Sequence, residues 1–499
     1  MVRLLLKHGA EVDSSTYDFA TPLMVAAGKG RNKIIEMLLG SGAQLEPRDS
    51  SGRTPFSWAA GNGHEATVEL LLGRGAELES CDQLNRTPFS WAAENGQLGT
   101  MLLLLEKGAQ RNSRDSDSRT PYLYAAKGGH LQVVRELIEK GVEVEYKDNN
   151  NSTALDLAAI NGHEAVVQLL LKNGAQADGH GTALTPLLHA IEHGHYAVVQ
   201  QLLEHGAQVD GHDAGFTPLL SAIEHGHYAV AKLLLSKGAS LESKDSYFGR
   251  EVLSWVAGNP LTNQTIMYTK FAYPDSDRYS FDYKVPPEEH LEILVRLLLD
   301  QGAKPNSRDN TGRMPVSWAA QNGRKKMLEM LLDKTSDVEC GDDNDRTLIS
   351  WAAEGGQAAI IKLLLARNAK LDSRDKFGRT PLSHATSQDG WGPIVELMLD
   401  HGAEFDSRDN SGRTPLSWAA NNITQSSAQM VISKGADIES EDGSGWTPLF
   451  WAVKHEQDSS VRFFLEKGAS WKDREDSSGH GLLTYVSKCT KSTSRELFP

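Results

Sequence analysis

Cysteine is scarce in this sequence of 499 residues. Its three cysteines, Cys81, Cys340 and Cys489, stand far apart, and none lies in a C-x-x-C motif. Such an odd and scattered set offers neither a disulfide framework nor a zinc site, and it is typical of small residues in a reducing compartment. No apolar run reaches membrane-spanning length, and the first residues match no signal peptide. We therefore expect a cytoplasmic or nuclear protein.

Positive charge is also in short supply. Lys and Arg number 51 against 66 Asp and Glu, which gives a formal net charge of −15. The densest basic run is Arg324-Lys325-Lys326, whereas binding to a phosphate backbone needs clustered Lys or Arg. Direct binding of nucleic acid is not expected, although a basic protein partner is compatible with this charge.

Catalytic motifs are missing as well. The sequence contains no G-x-x-x-x-G-K-[ST] phosphate loop, no H-E-x-x-H zinc motif, no G-x-S-x-G nucleophile elbow and no D-H-H-C motif. We predict no enzymatic activity, no metal site and no cofactor.

What the sequence does have is a period of 33 residues, marked by a Thr-Pro-Leu-like triplet. Its spacings are 32 to 34 residues, except for one of 63. The triplets begin at Thr21, Thr54, Thr87, Thr120, Thr153, Thr185, Thr217, Glu251, Met314, Thr347, Thr380, Thr414 and Thr447. A second marker, usually Gly-Ala, keeps the same spacings from Gly9 to Gly468, with Thr335 and Asn368 replacing glycine.

Each repeat is predicted to contain two short helices and a turn. In the repeat at Thr54, threonine caps a helix that starts at Pro55, and Gly75 ends the second helix in a left-handed conformation. Asn368 can adopt that conformation, whereas Thr335 cannot do so comfortably, so we expect an irregular helix end there. The fold class is therefore an all-α solenoid of helix-turn-helix repeats with hairpin turns between them.

The turns repeat an Asp-x-x-x-Arg motif, in which aspartate accepts local backbone hydrogens. We expect the arginines to project in a row and to contact a partner, because arginine is frequent at binding hot spots. The alternative is that each arginine pairs with the aspartate of its own turn. The candidates are Arg53, Arg86, Arg119, Arg313, Arg346, Arg379 and Arg413, with the run from Arg313 to Arg413 as the principal contact.

These residues resemble the ankyrin repeat, whose consensus is T-P-L-H-x-A-A, G-H, V-V-x-L-L-L and G-A, over roughly residues 1–480. The departure T-P-L-S-W-A-A is similar to fungal ankyrin arrays, some of which are recognition arms of NACHT-type receptor NTPases. The resemblance implies protein recognition through hairpin tips and a concave face, without catalysis. We predict a non-enzymatic protein-binding scaffold or adaptor. The alternatives are the recognition arm of a larger NACHT-type receptor NTPase, favoured by a start inside a second helix, and a nuclear transcription co-regulator.

Two recurring residue types invite a functional interpretation. Tryptophan stands four residues after the start of the triplet in seven of the 13 repeats, and we expect it to pack between repeats in preference to binding a ligand. The pairs His193/His195 and His225/His227 have a spacing that can suit a metal. His195 and His227 occupy the G-H position of two nearly copied repeats, so a duplicated structural role is the preferred interpretation.

One segment falls outside the period. It carries aromatic residues among prolines, and Tyr273, Tyr279 and Phe281 are candidate partner contacts. The alternatives are a tolerated insertion without function and a retained intron sequence. The expected organisation is a partial repeat at 1–20, ankyrin repeats at 21–259, an inserted loop at 260–289, repeats at 290–479, and a degenerate cap and tail at 480–499. We expect a monomer that binds protein, without membrane contact.

Overall fold

The computed structural model describes residues 1–179, 185–211, 217–245, 249–258, 288–335, 337–422, 425–471 and 479–488. Within these ranges the chain is helical, with turns and one isolated β-bridge between Lys244 and Glu251. None of the helices in the described ranges is long and apolar enough to cross a membrane. The chain forms two compact units: unit 1 is Met1–Asp213 with Thr217–Ala239, and unit 2 is Ala214–Phe216 with Ser240–Pro499.

Unit 1 alternates first and second helices of the repeat. Its first helices are α2 (Pro22–Gly28), α4 (Pro55–Gly61), α6 (Pro88–Glu94), α8 (Pro121–Lys127), α10 (Ala154–Ile160), α12 (Pro186–Glu192) and α14 (Pro218–Glu224). Its second helices are α1 (Val2–Lys7), α3 (Asn32–Gly40), α5 (Glu65–Gly73), α7 (Leu98–Glu106), α9 (Leu131–Glu139), α11 (Glu164–Lys172), α13 (Tyr196–Glu204) and α15 (Tyr228–Ser236).

Unit 2 follows the same plan. Its first helices are α16 (Val252–Gly258), α18 (Pro315–Gln321), α20 (Leu348–Glu354), α22 (Pro381–Thr386), α24 (Pro415–Ala419), α26 (Pro448–Lys454) and α28 (Leu482–Lys488). Its second helices are α17 (Glu288–Asp300), α19 (Lys325–Thr335), α21 (Ala358–Ala366), α23 (Gly392–Asp400), α25 (Ser426–Ser433) and α27 (Asp458–Glu466). The predicted all-α class is confirmed.

The first helices begin as the sequence predicts. Thr54 precedes α4 in an extended conformation, and its side chain accepts a hydrogen bond from the Ser57 backbone N–H at 3.3 Å. Pro55 occupies the first helical position, where no backbone hydrogen bond is lost. This threonine cap, without which such a helix loses about 1 kcal/mol, recurs in most first helices, and in α10 it is completed by Asp156 into a capping box.

The second helices end at a left-handed residue, as expected. Gly75 has φ +94° after α5, and Asn368 adopts φ +62° after α21. Thr335 departs from this pattern: it is the last residue of α19, which has 11 residues, and its hydroxyl donates to the Leu331 carbonyl at 3.1 Å. The irregular helix end expected here is therefore a longer helix.

The core of each unit lies between the two layers of helices. Ala59 and Ala60 of α4, and Val68 and Leu71 of α5, are fully buried. The small alanines allow first helices to pack closely on one another, and the aliphatic residues fill the space between the layers. Each repeat thus contributes its own section of the hydrophobic core, as expected for a solenoid.

The predicted insertion at 260–289 falls almost entirely outside the described residues, which resume at Glu288. Tyr273, Tyr279 and Phe281 lie outside them as well. The domain boundaries and the role of these aromatic residues remain predictions.

Leu71→Ala should lower the stability of its repeat by about 2–5 kcal/mol, because it opens a cavity in the core. Hydrogen exchange should show loss of protection in α5 and the adjacent repeats, fading farther along unit 1. Leu102→Ala is the control, since Leu102 is 39% exposed. Equal loss of protection throughout unit 1 would contradict a core that is built repeat by repeat.

Candidate functional site

The aspartate at the head of each turn organises the surface where the turns meet the first helices. Oδ1 of Asp49 accepts the backbone N–H groups of Ser51 and Arg53, both at 2.9 Å. Its Oδ2 accepts Nε of Arg53 and Nε1 of Trp58, again both at 2.9 Å. Asp49 is 6% exposed, so these four donors replace the water that its carboxylate has lost.

The ring donor stands nine residues after the aspartate in several repeats, although the ring itself varies. Tryptophan, tyrosine and histidine all serve, because each carries a polar hydrogen at the ring edge. The pairs are Trp58 with Asp49, Tyr124 with Asp115 at 2.5 Å, Trp318 with Asp309 at 3.0 Å, His384 with Asp375 at 3.0 Å, Trp418 with Asp409 at 3.2 Å, and Trp451 with Asp442 at 2.9 Å.

The repeat at Asp148 shows how the same need is met without a ring. Leu157 stands nine residues after Asp148 and has no donor, and the motif arginine is replaced by Ser152. Nε of Arg119, from the preceding turn, donates to Oδ2 of Asp148 at 3.2 Å. The next repeat therefore supplies the aspartate to which Nε of Arg119 donates.

Most of the motif arginines lie over a tryptophan ring of their own repeat, of the following repeat or of both. In unit 1, the Arg53 guanidinium carbon is 4.4 Å from the Trp58 ring centroid and 5.1 Å from that of Trp91, and Arg86 is 3.8 Å from Trp91. In unit 2, Arg313 is 3.5 Å from both Trp318 and Trp351. We call these alternating contacts, which also include Arg250, Arg346, Arg379 and Arg413, the Arg–Trp columns.

Arg313 does not project into solvent, in contrast to the row of projecting arginines expected from the sequence. Arg313 is only 7% exposed, and burial lowers its pKa to about 9. Burial likewise lowers the pKa of Arg346 to about 10. Cation–π stacking explains the difference, because two indole faces cover the Arg313 guanidinium and one covers that of Arg346.

The alternative, pairing within the turn, holds for part of the set. Arg53, Arg86 and Arg379 each form an ion pair with the aspartate of their own turn, at 2.9, 2.9 and 3.3 Å. Arg346 pairs with Glu354, and Arg119 with Asp148. A contact of these arginines with a partner remains a prediction.

The tryptophans pack between repeats, which confirms the preferred interpretation. A Cβ placed on Gly28 would lie 2.8 Å from Cε3 of Trp58, and one placed on Gly258 would lie 2.8 Å from Cε3 of Trp318. These two rings therefore rest directly on the end of the preceding first helix, where glycine leaves room for them.

The structural interpretation of His195 and His227 is also confirmed. Nε2 of His195 lies 3.0 Å from the Ile160 carbonyl, and Nε2 of His227 lies 3.2 Å from the Glu192 carbonyl. Gln357 and Trp391 make the same contact from the same position, at 3.1 and 3.0 Å. A side-chain donor at this position thus forms a hydrogen bond with a carbonyl at the end of the first helix of the preceding repeat.

Sequence analysis missed three sets of bonds between repeats. Thr54 Oγ1 lies 3.2 Å from both Ser57 Oγ and Ser80 Oγ, and the same hydroxyl triad recurs at Thr87, Thr347, Thr380 and Thr414. Arg308 Nη1 donates to the Gly312 and Gly341 carbonyls, at 2.8 and 2.9 Å. The repeated serine 26 or 27 residues after the capping threonine was the available signal for the triads.

Carboxylates form the third set. Oε1 of Glu46 accepts the Glu77 backbone N–H at 3.0 Å, and Oε1 of Glu79 accepts that of Gln110 at 2.8 Å. Glu145, Glu339, Asp372 and Glu439 accept from the next repeat in the same manner. These acidic residues join consecutive repeats.

One position stands out because it changes from repeat to repeat. It lies seven residues after the first residue of the triplet, at the end of the first helix, and we call it the variable row. Its described members are Gly28, Gly61, Glu94, Lys127, Ile160, Glu192, Glu224, Gly258, Gln321, Glu354, Ser387, Asn421 and Lys454. Lys127, Asn421 and Lys454 are exposed, and Glu94, Ile160, Glu192, Gln321 and Glu354 are partly exposed.

Glu192 has an unusual environment within this row. Burial raises the pKa of its carboxyl to about 7. The ring one helical turn earlier is His189, whose pKa falls to about 4 through burial and, secondarily, the nearby His193. At pH 7 the His189 imidazole is therefore neutral, and the Glu192 carboxyl group, three residues later on the same helix, is only half ionised.

Comparison with known proteins gives one family. A model described as "Ankyrin repeats (3 copies)" matches residues 41–115, 89–180, 175–245, 287–375, 349–442 and 392–475, and a model described as "Ankyrin repeat" matches 18–50. Among solved structures, the crystal structure of the human ASB11 ankyrin repeat domain is 27% identical over 40% of this chain and 90% of that chain, with a TM-score of 0.38. The search of curated proteins returned no match.

Trp58→Phe should cost about 1.5–3 kcal/mol, because it keeps a ring over Arg53 but removes a hydrogen bond to an ionised carboxylate. Urea unfolding and local hydrogen exchange measure the loss. Trp91→Phe is the matched control, since the buried Trp91 N–H has no acceptor among the described residues. A similar cost for both variants would show that the bond to Asp49 is unimportant.

Glu192→Gln should stabilise the protein above pH 7 by up to about 3 kcal/mol. The folded pKa of about 7 lies above the ordinary value of 4.5, so wild type loses stability relative to the variant as the pH rises from 4.5 to 7. Urea unfolding at pH 4.5 and pH 8 tests this difference. The same change at the exposed Glu204 should give no comparable gain. A variant that is less stable than wild type at pH 8 would show that the carboxylate is well solvated or paired.

Proposed function

This chain belongs to the ankyrin-repeat family, and from that premise we propose that it is a non-enzymatic scaffold or adaptor that captures a protein partner through the variable row. Ankyrin repeats are generally protein-interaction modules. The proposal narrows that general role to one set of positions on the first helices.

The observation that carries the proposal is that, within each repeat, the recurring residues make structural bonds whereas the variable row does not keep one residue type. The residues that recur, such as the capping threonine, the turn aspartate and the tryptophan, are occupied by bonds to their own or a neighbouring repeat. The variable row changes in charge and size while the small residues before it, such as Ala125 and Ala126 before Lys127, hardly change. A position that is exposed, rigidly held and variable is suited to selecting a partner.

Within unit 1, the best-placed part of the row is Lys127 with Ile160. Lys127 is exposed and Ile160 is partly exposed, on the consecutive first helices α8 and α10. A cation beside an aliphatic side chain can contact a mixed polar and apolar segment of a partner. The motif arginines remain proposed contributors, with Arg53 the most accessible of the ion-paired set at 28% side-chain exposure.

Binding is better tested in the variable row than in the arginines. Replacing Arg313, Arg346, Arg379 and Arg413 together would remove several cation–π contacts, so lost capture could reflect lost folding. Substitution of exposed side chains that serve no internal bond avoids this ambiguity.

The double variant Lys127→Ala/Ile160→Ala should weaken partner capture at least about tenfold, a loss expected when contact side chains are truncated. Partners are first identified by affinity capture and mass spectrometry with the wild-type chain, and their affinity for the variant is then measured. The melting temperature should change little.

Its matched control is Leu102→Ala/Arg135→Ala, which removes one exposed aliphatic and one exposed cationic side chain from the second helices α7 and α9. This control should bind normally. If both double variants bind as wild type does, the contact does not use this part of the variable row.

A further inference from the structure

Three repeats hold an arginine with the same pair of groups. Arg86 lies 3.8 Å from the Trp91 ring and 3.3 Å from a Glu94 carboxylate oxygen. Arg346 stacks on Trp351 at 3.5 Å and pairs with Glu354. Arg313 stacks on Trp318 at 3.5 Å and donates to Gln321 at 2.7 Å.

The two groups stand in a constant relation. The ring is four residues after the first residue of the triplet, and the acceptor is seven residues after it. Residues three apart on a helix share a face, so the ring can stack on a guanidinium while the acceptor forms a hydrogen bond with it. The arginine always comes from the position just before the triplet.

The repeat at Thr185 keeps the ring and the acceptor but has no arginine. His189 and Glu192 occupy the ring and acceptor positions, whereas the residue before Thr185 is Leu184. The next repeat has Glu224 but Ser221 at the ring position. The other repeats without an arginine before the triplet lack either the ring or the carboxylate.

The environment of Glu192 is consistent with a missing cation. Among the residues that the structure describes, none forms a hydrogen bond or an ion pair with its carboxylate, and burial alone raises its pKa to about 7. His189 is neutral at this pH, so its face can stack on a planar cation without repulsion. A half-buried carboxyl group that costs stability is a feature expected at a binding position.

We propose that His189 and Glu192 form a docking position for one arginine side chain of a partner protein. The partner guanidinium would stack on the His189 ring and pair with the Glu192 carboxylate, as Arg86 does with Trp91 and Glu94. Arginine is favoured over lysine because its planar group can stack and form a forked hydrogen bond at once. This inference rests on the proposed function, since it names the chemistry that a captured protein presents to the variable row.

The test uses the full chain, isotopically labelled at histidine and tryptophan, and the peptide acetyl-Gly-Ser-Arg-Ser-Gly-amide. Titration at pH 7.5 should shift the ring signals of His189 in the NMR spectrum. The same peptide with citrulline, which keeps the shape and removes the charge, should bind at least about tenfold more weakly. Glu192→Gln should weaken binding of the arginine peptide to the same degree, and Glu204→Gln should leave the affinity of that peptide unchanged.

A second variant provides a positive control. Arg86→Ala vacates the equivalent position at Trp91 and Glu94, so the arginine peptide should then also shift the Trp91 indole signal. Equal binding of the arginine and citrulline peptides, an absence of any His189 shift, or undiminished binding to Glu192→Gln would overturn the inference.

These results are independent of whether a natural partner is captured. If capture of an identified partner depends on Lys127 and Ile160 but the peptide does not bind, the docking position fails and the proposed function stands. If the peptide binds at Glu192 but no protein partner is found, the docking position stands and the proposed function fails.

Discussion

A buried carboxylate at the head of each turn is the group on which the rest of the repeat depends. Asp49 has lost its water, so both of its oxygens need donors. Backbone N–H groups of the turn satisfy Oδ1, and side chains must satisfy Oδ2. That requirement draws the Trp58 ring to the turn, where it lies beneath Arg53 and against the end of α2. One aspartate thereby couples the turn, its own helix and the neighbouring repeat.

Local features of this fold could be predicted from the sequence, because they depend on residues a few positions apart. The cap at Thr54, the left-handed Gly75 and the helices between them are of this kind. The burial of Arg313 could not be predicted in the same way, because it depends on Trp351, 38 residues later. Arg119 is similar, since its partner is selected by the missing ring donor at Leu157. The histidine position was predicted correctly because its occupants recur at one register, whereas the candidate site at Glu192 becomes visible only once the arginine contacts are known.

Some of the acidic residues have a structural role that the net charge alone does not indicate. The net charge of −15 is compatible with a surface that attracts basic partners. Glu46, Glu79 and Asp372, however, use their carboxylates to accept backbone N–H groups of the next repeat. Part of the acidic excess therefore holds repeats together, and net charge alone does not locate a binding surface. The contacts of each carboxylate have to be examined to tell those that join repeats from those that can bind a partner.

The repeated architecture allows a binding position in one repeat to be distinguished from the structural contacts of the others. Because the stability of a repeat array is a sum over neighbours, one repeat can give up its arginine contact without unfolding the others. The repeats at Thr185 and Thr217 share the sequence T-P-L-L-x-A-I-E-H-G-H-Y-A-V, and the position that differs within it holds His189 in one copy and Ser221 in the other. Both copies keep the glutamate, so the ring is what distinguishes them. A pair of near-identical repeats that differ at the ring beside a carboxylate is what a local binding position, superimposed on a structural repeat, would produce.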